Sequence, residues 1–509
     1  MQPESSAAVL ESDDEQATRR RFRAVFPGLL LILAIAALDQ NIVSTALPRI
    51  VGSLGGLSRI AWVVTAFLLC STVTTPLYGK LSDMYGRRPL FFAAVLIFLL
   101  GSVLCGMARS MNALIVFRGL QGLGAGGLIT LTQTTIGDFV APRQRAKYQG
   151  YFSAVITLCS IAGPLLGGFI TEALSWRWVF YVNVPVGAVA LTIIGVGLPP
   201  GRPVRKHQVD YPGIILLTLS TSSLLALLGL VGEPEPASPA KIVGFALLAV
   251  LGLVGMVLRA RVASEPVIPP ILFRSRVFVI ATLTVALNFL ALQAVGLFLP
   301  LFFQLVMGMS PSRAGLMTVP LMGGLIVSSI VGGKIVSAIG RYKMLPVVGL
   351  ALVALADFSL SAVVSGGAVR LSVMLSLIML IGLGAGLILP ILTMAIQNAV
   401  DPANLGAATA TSIFFRSLGA TFGVTLAGAI VNWRVRAALP QAGALAPAHG
   451  LPSVDVLAGH DPALLAAYQH GLSAVYLMGG CFVVLAFLCV CLLPEKPLRG
   501  GVGKGRLMS

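Results

Sequence analysis

The stretch Gly79-Lys80-Leu81-Ser82-Asp83-Met84-Tyr85-Gly86-Arg87-Arg88-Pro89 lies between two long apolar runs. Its glycines permit a tight turn, and Pro89 cannot continue a helix that needs its N–H. It reads as a short, water-facing loop between two membrane helices. A second copy follows 254 residues later, Gly333-Lys334-Ile335-Val336-Ser337-Ala338-Ile339-Gly340-Arg341, with Gly, Lys, Gly and Arg at the same offsets and Ser337 in place of Asp83. A repeat at half the chain length marks a membrane protein built from two equivalent halves.

Composition agrees with that reading. Of 509 residues, 57% are hydrophobic and 10% charged, too little charge for a soluble chain. The net charge of +17 does not point to nucleic acid, because the basic residues punctuate apolar runs instead of forming a stripe. The six cysteines all lie inside apolar runs and read as packing residues, not as a disulfide framework or a metal site.

Fourteen apolar spans fit between residues 26 and 493, each near the ~20 residues a bilayer requires. An even count places both termini on one side. With the termini inside, inner segments hold 24 Lys and Arg and outer loops hold 9, so both termini are expected in the cytoplasm and the chain in the plasma (inner) membrane. The repeat extends beyond the loops. Gly122-Leu123-Gly124-Ala125-Gly126 recurs as Gly382-Leu383-Gly384-Ala385-Gly386, and Pro142 recurs as Pro402. The expected organisation is all-α and polytopic: a polar tail (1–25), a six-helix half (26–200), two inserted helices (201–265), a second six-helix half (266–494) and a second tail (495–509). The basic loop Arg202–Lys206 and the acidic turn Glu233-Pro234-Glu235 flank the first inserted helix, and a polar loop over 432–470 precedes the last span.

Two charges sit inside spans at matching depth. Asp39 lies 10 residues before Arg49 and Arg118 lies 9 after Arg109, so at ~1.5 Å per residue both are roughly 15 Å below one surface. A carboxylate at that depth is expensive and faces a cavity or a partner. A guanidinium beside it favours the ionised acid, and separating the two lets the acid take up a proton. The alternative is a permanent structural ion pair. Asp357 and Arg416 also fall well inside spans, as do the polar residues Asn41, Gln121, Asn288, Gln293 and Gln304. These are candidates for a substrate cavity or for helix–helix hydrogen bonding.

Several of these segments together resemble the major facilitator superfamily. Gly79–Pro89 resembles its loop motif, and Arg118-Gly119-Leu120-Gln121-Gly122-Leu123-Gly124 its fourth-helix motif. Gly163-Pro164-Leu165-Leu166-Gly167-Gly168 resembles the fifth-helix motif associated with antiporters, with Cys159 where a glycine is usual. Leu38-Asp39-Gln40-Asn41-Ile42-Val43-Ser44-Thr45-Ala46-Leu47-Pro48 resembles the first-helix motif of the fourteen-helix drug:proton antiporters. The resemblance implies proton coupling at Asp39 and Arg118. It also implies a conformational latch at Gly79, Asp83, Gly86, Arg87 and Arg88, with the second copy weakened by the missing acid. Gly163, Pro164, Gly167 and Gly168 are expected to pack helices closely, with a kink at Pro164.

The implied function is proton-coupled export of small hydrophobic or amphipathic compounds, of multidrug type. The alternatives are a dedicated exporter of one metabolite or antibiotic, or a lipid transporter on the same fold. The glycine run Gly122–Gly127 lacks the Gly-Lys-Ser/Thr ending of a P-loop and follows no strand, so an ion gradient, not ATP, is the expected energy source. No nucleophile–base–acid set is visible, and His207, His449, His460 and His470 fall in polar segments. An enzyme, a cofactor or a metal is not expected, and the chain is read as a monomer. With Asp39 as the central charge of the cavity, neutral and singly charged lipophilic compounds should be preferred over divalent cations.

Overall fold

The computed structural model describes residues 3–54, 60–198, 209–232, 238–309, 311–366, 370–438 and 462–495. The loop Arg202–Lys206, the turn Glu233–Glu235, the segment 439–461 with His449 and His460, His207, and residues 496–509 lie outside them. The described residues form helices joined by short turns, with no strand. Helices are the expected outcome, because lipid offers no partner for a free backbone N–H or C=O.

The first half holds α1 (Pro3–Leu54), α2 (Ile60–Tyr85), α3 (Arg87–Met107), α4 (Met111–Phe139), α5 (Pro142–Ala173), α6 (Trp178–Tyr181) and α7 (Asn183–Gly197). The inserted pair is α8 (Tyr211–Gly232) and α9 (Pro239–Val262). The second half holds α10 (Arg276–Leu305), α11 (Pro311–Leu316), α12 (Val319–Ile339), α13 (Met344–Ser365), α14 (Leu371–Gly386), α15 (Leu389–Ala399), α16 (Leu405–Ala438) and α17 (Pro462–Cys491). Among the described residues, thirteen helical stretches are long and apolar enough to cross a bilayer, and α5, bent by 42° between Ser160 and Leu165, makes fourteen when counted as one span. The bend coincides with Pro164, which has no N–H for the helical ladder.

Three elements differ from the sequence expectation. The polar N-terminal segment does not stop short of the first span. It continues into it as one helix from Pro3, because its Ala-, Glu-, Gln- and Arg-rich sequence has high helical propensity whatever its polarity. The long twelfth span breaks into α14 and α15 just before Pro390. His470 lies on α17, exposed, with Nδ1 2.7 Å from the Ala466 carbonyl.

Each half has its own apolar core. In the first half, Leu29, Leu33, Phe91, Phe98, Leu131 and Ile194 interlock, and a second cluster around Ile42, Leu114 and Phe180 lies nearer the Arg109 end. In the second half the cluster runs from Leu272 to Leu493 and takes in Ala146 of α5 from the first half. The two halves meet along two crossings related by the repeat. In one, α2 crosses α16, and a Cβ on Gly79 would meet the Gly406 backbone. In the other, α12 crosses α5, and a Cβ on Gly333 would lie 2.6 Å from the Ala146 carbonyl oxygen. Only a residue without a side chain permits these approaches. The inserted hairpin packs α8 against α2 and α16, with Leu217 buried beside Phe414, while α9 turns most of its apolar surface outward. Arg259 pairs with Asp210 at 2.8 Å within the hairpin, and Lys80 of α2 approaches Glu265, just past α9, at 3.7 Å.

The loop glycines also differ in a useful way. Gly86 has φ 88° and ψ 163°, and its repeat partner Gly340 has φ 78° and ψ −2°. The first conformation is open to glycine almost alone, whereas the second is a left-handed helix cap that asparagine also adopts. Gly86→Asn should therefore lower the stability of the detergent-purified protein by ~1–3 kcal/mol, and Gly340→Asn by clearly less. Thermal unfolding followed by tryptophan fluorescence would check this, and equal losses would contradict it.

Candidate functional site

The depth match between Asp39 and Arg118 is realised as a contact. Arg118 on α4 donates from Nη1 to Asp39 Oδ2 on α1 at 2.6 Å. Asp39 is 0% and Arg118 1% exposed, so water does not share the pair. The other carboxylate oxygen, Oδ1, accepts from Gln121 Nε2 at 2.8 Å and from Asn183 Nδ2 at 3.0 Å. Arg118 Nη1 also reaches Gln121 Oε1 at 2.8 Å, and its guanidinium stacks over the Phe67 ring, 4.1 Å from the centroid. Ser102 on α3 closes the network. Its hydroxyl accepts from Gln121 and Asn183 and donates to the Phe180 carbonyl at 2.8 Å. Four helices thus deliver one carboxylate, one guanidinium and three neutral polar side chains to a dry point within the first half. In such a place an ion pair persists only because its remaining donors and acceptors are filled. Removing Arg118 alone would leave a buried anion, a loss of about 3–5 kcal/mol.

Ser102 and Asn183 were not singled out from the sequence. A signal was present: Ser102 lies 7 residues before Arg109 and Asn183 lies 6 after Arg177, depths within reach of Asp39. Depth does not reveal which face a residue occupies, and unremarkable polar residues do not announce themselves.

The other candidates scatter. Gln121 belongs to the Asp39 network and not to an open cavity, because its face of α4 turns toward α3. Asn41 faces Gly163 at the α1–α5 crossing. Asn288 is buried, Gln293 is exposed, and Gln304 bonds back to the Pro300 carbonyl. Asp357, expected at a substrate cavity, is instead walled in between α10, α13 and α17. Its Oδ2 lies toward Gly479, with Ala291 and Val295 close by, and neither carboxylate oxygen has a hydrogen-bond partner. Arg416 does line a cavity, a small one of about 10 Å³ shared with Gln133, Thr393, Thr409 and Ser412. Gly163 and Gly167 make the expected close crossing with α1, against Asn41 and Thr45. Gly168 is a correction: a Cβ there would meet open space, because one residue turns ~100° away from the packed face.

The loop candidates assemble a lock between the halves. Asp83 Oδ1 accepts from the Gly406 amide at 2.9 Å and Oδ2 from the Ala407 amide at 2.8 Å, at the start of α16. A carboxylate on a helix N-terminus meets free N–H groups and the positive end of the helix dipole. Arg87 braces it from the other side, 2.8 Å from Asp83 and 2.7 Å from Asp138, and also donates to the Ser82 hydroxyl. Arg88 stands half-buried beside it. Two further bonds cross between the halves nearby: Arg145 donates to the Gln397 carbonyl at 3.2 Å, and Gln397 Nε2 to the Gln133 carbonyl at 3.1 Å. At the second copy Ser337 stands where the first has Asp83. The loop there is tied to Glu495, which accepts from the Tyr342 amide at 3.0 Å.

The helical architecture of two repeat-related halves is similar to that of known proteins. The family model for the Major Facilitator Superfamily matches residues 29–424. The chain belongs to that superfamily. It is 40% identical over 407 residues to the multidrug transporter protein MdtP of Bacillus subtilis, covering 80% of this chain and 75% of that protein. It is 36% identical over 419 residues to multidrug resistance protein 3 of the same organism, covering 82% and 81%. Among solved structures, the proton:xylose symporter XylE shares the fold with a TM-score of 0.63 at 16% identity, over 94% of this chain and 98% of that one. This superfamily member is therefore a multi-pass membrane transporter.

The lock predicts an effect of its own. Asp83→Ala removes two charge-assisted bonds to backbone amides, each worth about 1.5–3 kcal/mol. The population should shift by tenfold or more toward states open at this end. A cysteine at the buried Ala410, beside Gly79, should react faster with a water-soluble maleimide in the Asp83→Ala background than in the wild type. Equal labelling rates would show that Asp83 does not hold the halves together.

Proposed function

We propose that this transporter exports small hydrophobic or amphipathic compounds in exchange for protons, in the manner of a multidrug efflux protein. The observation that carries the reading is the Asp39–Arg118 pair, an acid and a guanidinium in direct contact and shut off from water. Arg118 stays protonated and cannot itself carry the proton. When helix movement draws it away, Asp39 is left in a low-dielectric site with Gln121 and Asn183 as its only donors, and binding a proton is the cheapest way to remove the charge. When the pair re-forms, the proton is expelled. A lock made of a few charged bonds at one end is the bistable element that such a cycle requires. The names of the bacterial relatives support the substrate class.

The driving force is then the proton gradient, with no cofactor, and the transporter works as a monomer in the plasma (inner) membrane. Both termini lie in the cytoplasm by the distribution of Lys and Arg, which puts the Asp83 lock on the cytoplasmic side. The structure then corresponds to a state closed toward the cytoplasm.

Asp39→Asn keeps the shape and most hydrogen bonds of the network but cannot titrate. In inverted vesicles, proton-driven uptake of fluorescent dyes should fall to background, while the variant protein remains inserted and still binds dye. Undiminished gradient-driven uptake would remove Asp39 from the coupling mechanism. Orientation is checked separately. A cysteine in 201–207 should resist a membrane-impermeant reagent added outside the cell, and one in 439–461 should react. The reverse pattern would overturn both the topology and the direction of transport.

A further inference from the structure

Arg416 is a cation in the membrane interior to which the described protein gives no anion. It lies 11 residues into α16, roughly 16 Å along the helix from the lock end. Its guanidinium rests over the Phe289 ring, 5.1 Å from the centroid, and among the described residues none of its N–H groups donates to a protein acceptor. Apart from Glu4, Glu11, Asp13, Asp14 and Glu15 at the start of α1, the described carboxylates are committed elsewhere. Asp39 is paired with Arg118, Asp83 and Asp138 with Arg87, Asp210 with Arg259, and Glu265 with Lys80. Asp357 is walled in among α10, α13 and α17. Glu172, Asp401 and Glu495 sit at helix ends. A cation this deep in the membrane with free donors is expensive unless something negative reaches it.

Arg416 borders a cavity between the two halves. The cavity it lines takes Gln133 from α4 of the first half, and Thr393, Thr409 and Ser412 from the second. It therefore lies on the seam that must part when the halves rock. The hydroxyls of Thr393 and Ser412 can donate toward an anion, and four aliphatic side chains complete the lining. In the locked state about 10 Å³ remains, room for roughly one water molecule, so an organic ligand fits only once the seam opens.

We propose that Arg416 is a substrate-recognition residue, and that the transporter prefers amphipathic organic monoanions carrying a carboxylate, sulfonate or phosphate over cations of the same apolar body. Guanidinium presents paired N–H groups that match such oxyanions, and Phe289 offers an apolar face next to them. The charge preference expected from the sequence is thereby reversed. It assumed that Asp39 sets the charge of the cavity, but Arg118 neutralises Asp39 in a separate network.

This proposal rests on the export reading only for the direction of transport, so binding and transport are measured apart. The binding probes are N-phenyl-naphthylamine, its sulfonate and its trimethylammonium derivative, titrated by fluorescence into the nanodisc-embedded protein against empty nanodiscs. In the wild type the sulfonate should bind about tenfold more tightly than the ammonium compound, as one charge-assisted contact provides. Arg416→Gln should remove that difference while weakening the neutral parent far less, and Arg416→Lys should keep part of it. Equal or tighter binding of the ammonium compound to the wild type would overturn the proposal, whether or not the variants fold. So would an equal loss of all three probes in Arg416→Gln alongside an unchanged sulfonate preference in Arg416→Lys. Uptake of the same probes into inverted vesicles separates the two readings. Sulfonate-selective binding without proton-driven uptake would sink the export reading alone, and proton-driven uptake without charge selectivity would sink this one.

Discussion

Two helix crossings hold the molecule together, and both depend on backbones coming closer than side chains allow. Gly79 of α2 meets Gly406 of α16, and Gly333 of α12 meets the backbone at Ala146 of α5. Each half satisfies its own backbone and packs its own core, as any segment in lipid must. The contact between halves runs along these crossings, and its polar bonds are concentrated at Asp83, Arg145 and Gln397 near one end. A few polar bonds gathered at one end are the kind of contact that a rocking motion can make and break.

The repeat is structural without being chemical. The first half keeps a charged pair with its hydrogen-bond partners complete. The second half has Asp357 on α13, the counterpart of the helix that carries Ser102, but without a cation or a hydrogen-bond donor on its carboxylate. The two latch copies diverge in the same way, with Asp83 on one side and Ser337 on the other. Duplicated scaffolds leave each half free to specialise. Here the first half holds the paired acid and cation, and the second presents Arg416 at the seam.

Much of this was legible in the sequence, and what failed has a common cause. Apolar length located the spans, the repeat located the halves, and counting residues from flanking arginines put Asp39 and Arg118 at one depth. Each of these uses position along a helix axis. Rotation about that axis is not readable in the same way. Gln121 turned out to face α3 instead of a cavity, Gly168 to face away from the crossing that Gly167 makes, and Asp357 to point into a packed bundle. Asn183 and Ser102 were missed because a neutral polar residue in a span has many bland explanations. The bend in α5 was signalled by Pro164, whereas the extension of α1 back to Pro3 was obscured by equating polarity with the end of a helix.

The Asp83 bonds are made to main-chain amides at Gly406 and Ala407, not to side chains. One partner of this lock is therefore a location in the fold rather than a residue identity. At position 407 any amino acid except proline still supplies the N–H, so substitutions there leave the lock in place as long as α16 starts at the same point. On the other side only a short carboxylate held at position 83 will serve. Genetic drift thus acts on the two partners unequally, and sequence comparison alone would record the acid and overlook what it grips.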